Sequence, residues 1–281
     1  MKSSYKHKSL IWICLVIGLF GLALWYHGGI GWKEAFVLFG LCFTCELIDS
    51  GLGMGYGTIV TPSLLLIGYD AQEIVPTVLL SELLSGFAAA FFHNEIRNVE
   101  LGLSGKDFKP AAILASGSIA GVTAGVFLAL SLPKTALNIG IGCIVLLSGF
   151  FVLLLSRRVV EYRNWKMVML STAASFNKAV SGGGYGPLVT SGQILSGVKG
   201  KASVGITSFA EAFTCLLAVT LFLIKGGRID LVIFIPMCAG ALISVPLSVL
   251  AINKTREDLL KTAIGVLTMV MGAVTICKAL N

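Results

Sequence analysis

The chain is built from apolar segments, at about 34–50, 56–68, 72–93, 110–131, 135–155, 166–180, 186–197, 202–224, 230–251 and 257–280, joined by brief polar connections. Most supply the roughly 20 residues that, at about 1.5 Å of rise each, cross the ~30 Å of hydrocarbon in a bilayer. Inside lipid the backbone must satisfy its own N–H and C=O groups. That leaves helices or closed barrels, and none of these runs alternates as a barrel strand does. Charged residues make up 12% of the chain, against about 25% in soluble domains, so the expected fold is an all-α polytopic membrane protein. The formal net charge of +7 then marks loops on one membrane face, and nucleic acid is not an expected partner.

The N-terminus, "MKSSYKHKSLIWICLVIGLFGLALWYHGG", has a basic head and 16 apolar residues from Leu10 to Trp25, the outline of a signal peptide. No small-x-small cleavage site follows, so residues 1–32 read as a retained extra transmembrane helix. The cysteines, Cys14, Cys42, Cys45, Cys143, Cys215, Cys238 and Cys277, sit mostly in apolar runs without metal-ligand spacing. They read as small core residues, and neither a metal nor a cofactor is expected.

"GLGMGYGTIVTPSLLLIG", Gly51 to Gly68, returns in part as "GYGPLVTSGQILSG", Gly184 to Gly197. At an offset of 129, seven of fourteen positions are identical, among them Gly55/Gly184, Tyr56/Tyr185, Gly57/Gly186 and Thr61/Thr190, and Glu82 falls on Glu211. Ladders of small residues at Gly117, Gly121, Gly125 and at Gly240, Ser244, Ser248 answer one another and suit close helix packing in lipid. The halves are expected to be structural repeats, 33–156 and 167–281, around a basic cytoplasmic linker at 157–166.

The second segment of each half is short. If it crosses with its neighbours, fifteen Lys and Arg, from Lys2 to Lys261, share one face, while Lys33, Lys134, Lys225, Arg228 and Lys278 lie on the other. A re-entrant arrangement divides them almost evenly, so the positive-inside bias favours crossing and a cytoplasmic N-terminus. An odd number of crossings per half inverts the second repeat relative to the first. Many secondary transporters are built this way and hold their solute near the midplane between broken helices.

Glycine-rich backbone within a membrane leaves amides and carbonyls without helical partners, a cost of several kcal/mol each unless protein, water or solute satisfies them. The breaks are expected to face a cavity, with the helix starts near Thr58 and Pro187 offering free N–H groups and a positive dipole end to an anion. The candidate binding residues are Gly55, Tyr56, Gly57 and Thr58 in the first half and Gly184, Tyr185, Gly186 and Pro187 in the second. Glycines that merely permit close packing would explain the breaks, but not the repeated tyrosine and threonine.

A glycine-rich break, a short apolar segment ending in glycine, a polar helix start and an acidic "NVE" or "RID" loop, all repeated twice, resemble the sulfite exporter TauE/SafE family over residues 33 to 280. The resemblance implies a permease of the bacterial plasma membrane for small sulfur-containing anions such as sulfite, or for sulfonated organic acids.

Five ionisable side chains fall in apolar segments: Glu46, Asp49, Glu82, Lys178 and Glu211. Such groups are costly in hydrocarbon and are functional candidates. Asp49 and Lys178 match at offset 129; a pseudo-twofold axis brings them together as an ion pair or leaves Lys178 to attract the solute. Glu82 and Glu211 lie mid-helix, either as proton carriers or as protonated groups bonded to broken backbone. His27 and His93, at segment ends, read as interfacial.

No hydrolytic triad or phosphate loop is visible; "GLGMGYG" has no preceding strand and no lysine in the required place, so an enzyme is not expected. The leading expectation is a secondary transporter for a small anion, sulfite or another organosulfur or oxyanion species. Proton coupling would run through Glu82, Glu211, Glu46 or Asp49. The alternatives are a cation permease using the buried carboxylates, and a membrane assembly factor that transports nothing.

Overall fold

The computed structural model describes the backbone of residues 2–27, 29–154, 163–251 and 257–280, with side chains for 5–21, 29–154, 163–250 and 261–280. Arg157, Arg158, Lys254, Arg256, most of the linker expected at 157–166 and the side chain of His27 lie outside the described residues.

The described residues form helices and no strands: α1 Lys2–His27, α2 Trp32–Leu52, α3 Tyr56–Ile67, α4 Ala71–Glu95, α5 Phe108–Ser131, α6 Lys134–Leu154, α7 Asn164–Ser181, α8 Tyr185–Leu195, α9 Gly200–Ile224, α10 Leu231–Ala251 and α11 Glu257–Leu280. Among them α2, α4, α5, α6, α9, α10 and α11 are long and apolar enough to cross a membrane. With 12 and 11 residues, α3 and α8 reach only about 18 Å at helical rise and cannot span one alone. Polar residues flank the apolar runs and start the helices. Asp70 accepts from the Gln72 amide at 2.9 Å ahead of α4, and Asp230 accepts from Val232 at 2.9 Å ahead of α10.

The helix pairings are reciprocal when the two halves are exchanged. α2 packs on α10 as α7 packs on α5, α4 on α10 as α9 on α5, and α3 on α11 as α8 on α6. The self-paired contacts, α4 with α9 and α6 with α11, lie where the halves meet.

The small-residue ladders form two of these seams. A Cβ on Gly117, Gly121 or Gly125 would run into the backbone or side chains of α7, and one on Gly240 into the Phe39 carbonyl of α2. Hydroxyls reinforce the approach: Thr172 Oγ1 donates to the Gly117 carbonyl at 2.8 Å, and Ser248 Oγ to that of Leu47.

α1 docks on α10 at a point of chemical need. Pro246 lacks an N–H, which deprives the Leu242 carbonyl of its helical donor. Trp12 Nε1 supplies the missing bond at 2.9 Å, and Tyr5 Oη donates to the Pro246 carbonyl at 2.9 Å.

The cysteines divide. Cys42, Cys45, Cys215 and Cys238 are buried as expected, whereas Cys14, Cys143 and Cys277 lie on outward helix surfaces.

Candidate transport site

Each break is a pair of left-handed glycines. Gly53 (φ 72°) ends α2 and Gly55 (φ 136°) precedes α3; Gly182 (φ 70°) ends α7 and Gly184 (φ 84°) precedes α8. An L side chain rarely adopts these angles, so the glycines are required by geometry.

The two breaks cross and interlock. A Cβ on Gly57 would overlap the Gly182 carbonyl, and one on Gly186 the Gly53 carbonyl; Gly53 likewise faces Thr190, and Gly182 faces Thr61. The candidate glycines are therefore brought together, but backbone fills the space between them. An alanine at Gly57 or Gly186 would push the opposite break away and not merely narrow a path for solute.

The amides at the start of α3 already have carboxyl partners. Tyr56 N donates to Asp49 Oδ1 at 3.3 Å and Gly57 N to Glu82 Oε1 at 3.2 Å. The other oxygen of Glu82 accepts from Lys178 Nζ, which also donates to Glu211 Oε1 at 2.7 Å. Lys178 is 1% exposed, Glu82 4% and Glu211 7%. The structure does not pair Lys178 with Asp49: the ion-pair partners of Lys178 are the two glutamates, and Asp49 turns to its own half's break. Taking three charges out of water costs several kcal/mol per ion, and mutual attraction offsets this only with close geometry of this kind.

The tyrosines point away from the crossing. Tyr56 Oη lies 2.8 Å from Ser81 Oγ on α4, and Tyr185 Oη lies 3.3 Å from Ser171 Oγ on α7, both rings fully buried. Thr58 Oγ1 donates to the Gly55 carbonyl at 3.1 Å and trims the start of its own helix. Pro187 occupies the first turn of α8, where no N–H is needed. Glu46 is buried among hydroxyls, accepting from Ser50 at 2.5 Å and Ser85 at 3.0 Å.

His93 differs from its expectation as an interfacial residue. It is 1% exposed, with Nε2 2.8 Å from the Ser50 carbonyl and Nδ1 2.9 Å from Asn98 Nδ2, so it braces the end of α2 where helical bonding runs out.

Sequence reasoning missed one group. Thr190 Oγ1 bonds the Gly53 carbonyl at 2.9 Å and lies 3.0 Å from Thr207 Oγ1, which accepts from Gln193 Nε2 at 2.8 Å. The available signal was an amide side chain within the short apolar helix α8.

The profile of the sulfite exporter TauE/SafE family matches residues 37–275. The chain is 28% identical over 245 residues to the probable membrane transporter protein YtnM of Bacillus subtilis (strain 168), covering 82% of this chain and 79% of that one. No solved structure matches. Crossing glycine breaks around buried charges, within a bundle of membrane-length helices, thus sit inside a matched region that takes in α3 to α10 whole: the chain belongs to the sulfite exporter TauE/SafE family and is a membrane transporter, not an enzyme.

Proposed function

We propose that this protein is a proton-coupled secondary carrier of a small oxyanion, sulfite or a related organosulfur species, in the bacterial plasma membrane. One observation carries the reading: the Glu82 carboxylate sits with one oxygen on the Gly57 amide and the other on the Lys178 ammonium. A carboxylate is itself a small oxyanion, and the O–S–O edge of sulfite or a sulfonate offers the same pair of acceptors. The solute can use these donors when Glu82 lets go of them.

Protonation is the means of release. With both glutamates ionised, the cluster of Lys178, Glu82 and Glu211 carries one net negative charge, which repels an arriving anion at low dielectric. One proton makes it neutral and weakens the hold of Glu82 on its donors. Glu46 and Asp49 lie close by as further acids. The binding residues in this reading are Gly55, Tyr56, Gly57, Thr58, Gly184, Tyr185, Gly186, Pro187 and Lys178. The tyrosines act by seating the breaks.

The reciprocal helix pairings and the fifteen-to-five division of basic residues support two inverted repeats, 33–156 and 167–281, after an extra helix at 1–32, with the N-terminus cytoplasmic. A cation permease is the second reading, favoured by the two serine hydroxyls gathered on the buried Glu46 carboxyl.

Thermal unfolding of the purified protein tests these readings. A ligand bound only by the folded state stabilises it by about 2.7 kcal/mol at a hundred times its dissociation constant. Sulfite, thiosulfate or an alkanesulfonate is expected to raise the melting temperature, while sodium and potassium counter-ions alone do not. Stabilisation by cations would favour the second reading. Stabilisation by none would overturn both readings of the solute.

A further inference from the structure

The two halves share the crossing but not what flanks it. At offset 129, Thr190 matches Thr61, Thr207 matches Val78 and Gln193 matches Leu64. The second half therefore has a polar column where the first has one hydroxyl between apolar side chains, all of them fully buried.

Hydrogen-bond direction in this column follows from its ends. The Gly53 carbonyl can only accept, and Thr190 Oγ1 is placed to donate to it and to Thr207 Oγ1, its single proton divided between the two. Thr207 also accepts from Gln193 Nε2. The Val189 carbonyl, also an acceptor only, lies 3.4 Å from the same nitrogen and fixes the amide the same way. Gln193 Oε1 is left buried with no partner. A buried amide oxygen without a donor is costly, and its retention marks a place where a donor arrives.

The elements that carry the column also line a crevice of about 10 Å3, space for one water, through Gly51, Leu52, Ile194, Lys201, Val204 and Lys261, none of them a column residue. Each element supplies both: α2 gives Leu52 to the crevice and Gly53 to the column, α8 gives Ile194 and Gln193, and α9 gives Val204 and, one turn on, Thr207.

We infer that the column of Gln193, Thr207 and Thr190 is the solute's passage between the central crossing and the membrane face that bears the α8–α9 turn. It admits a hydrated anion, whose water donates to Gln193 Oε1 while the threonine hydroxyls replace the rest of the shell. The corresponding place in the first half is apolar at Leu64 and Val78, around a Thr61 hydroxyl that is likewise buried without a partner. This inference rests on the carrier reading above, since it gives that carrier its route.

Two measurements test it. Cysteine at Gln193 or Thr207, in the full-length protein in oriented membrane vesicles, should react with an impermeant maleimide from the face bearing the α8–α9 turn and not from the other. The unmodified protein supplies the background from Cys14, Cys143 and Cys277. The same experiment on Leu64→Cys should show no reaction from either face. Gln193→Leu and Thr207→Val, which copy the first half, should each slow sulfite flux in proteoliposomes about tenfold, as for one lost hydrogen bond to a charged group, with the melting temperature held or raised. Absence of labelling at both column positions, labelling from the opposite face, labelling at Leu64, or unchanged flux in both copies overturns the inference. If the unmodified protein carries no sulfite, the carrier reading fails for that solute, and the labelling result still decides the passage.

Discussion

Gly57 and Gly182 stand back to back, the first residue so close to the carbonyl oxygen of the second that a Cβ has no place between them. The same holds for Gly186 against Gly53, so the halves of the protein touch through bare backbone. Gly57→Ala and Gly186→Ala should each destabilise the protein by about 1–3 kcal/mol, the usual cost of overpacking, read as a fall in melting temperature in detergent. Gly140→Ala is the control. Nothing lies within 4 Å of a Cβ there, and alanine in a helix should be neutral or favourable. Equal melting of all three variants with the unmodified protein would mean that the breaks are not in contact.

Lys178→Met strands two facing carboxylates in an apolar interior. Breaking a buried charge network in this way costs about 3–5 kcal/mol, so the variant should unfold at markedly lower temperature or fail to accumulate. Adding Glu82→Gln and Glu211→Gln removes the stranded charges and should recover most of the loss. A triple variant no better than the single one would show that Lys178 acts through packing alone.

Glu82→Gln keeps the size and the acceptor at the Gly57 amide but cannot exchange a proton. Solute should still stabilise this variant, while net flux loses its dependence on an imposed pH gradient. Glu211→Gln should do the same. If the double variant still accumulates solute down a proton gradient, the carriers are Glu46 or Asp49.

Trp12→Phe leaves the Leu242 carbonyl without a donor beside Pro246. Loss of about 1 kcal/mol is expected, since the orphaned carbonyl sits at the partly buried α1–α10 seam. Parallel unfolding of Leu10→Phe, an exposed position, controls for the added ring.

Asp70 lies outside the spanning segments, and the hydrogen bond from Lys134, 2.8 Å away, holds its carboxyl below the usual range. A depressed acid contributes stability above its unfolded pKa, and that contribution disappears as pH falls through the lower folded value. The pair is largely exposed, so Asp70→Asn should cost well under about 1 kcal/mol at neutral pH. The gap between the two melting curves should close on acidification. A gap that widens instead would reverse the assignment.

The sequence made the breaks legible because their glycines have a physical cause: four left-handed positions at equivalent places in two halves. It also singled out Glu82 and Glu211, buried charges being rare enough to stand out. It did not disclose the partners of Lys178, because a repeat offset pairs equivalent residues, whereas the ammonium meets whichever carboxyls the packing brings within reach. Those are Glu82 on α4 and Glu211 on α9, while Asp49 bonds the Tyr56 amide. The column escaped for the opposite reason. Thr207 and Gln193 stand opposite Val78 and Leu64, so a search for what the halves share passes over them. His93 looked interfacial because hydropathy fades around it, yet the carbonyl of Ser50 is folded against it from another segment.

Backbone locked against backbone has a mechanical meaning. Side chains that interdigitate can trade rotamers and let two helices slide, but at the crossing of Gly53–Gly57 and Gly182–Gly186 nothing can be traded. Translation of one break past the other would drive carbonyl into Cα, so motion in the proposed carrier is expected to pivot at the crossing. The crossing is an axle, and the charges of Lys178, Glu82 and Glu211 are bonded to it through the Gly57 amide.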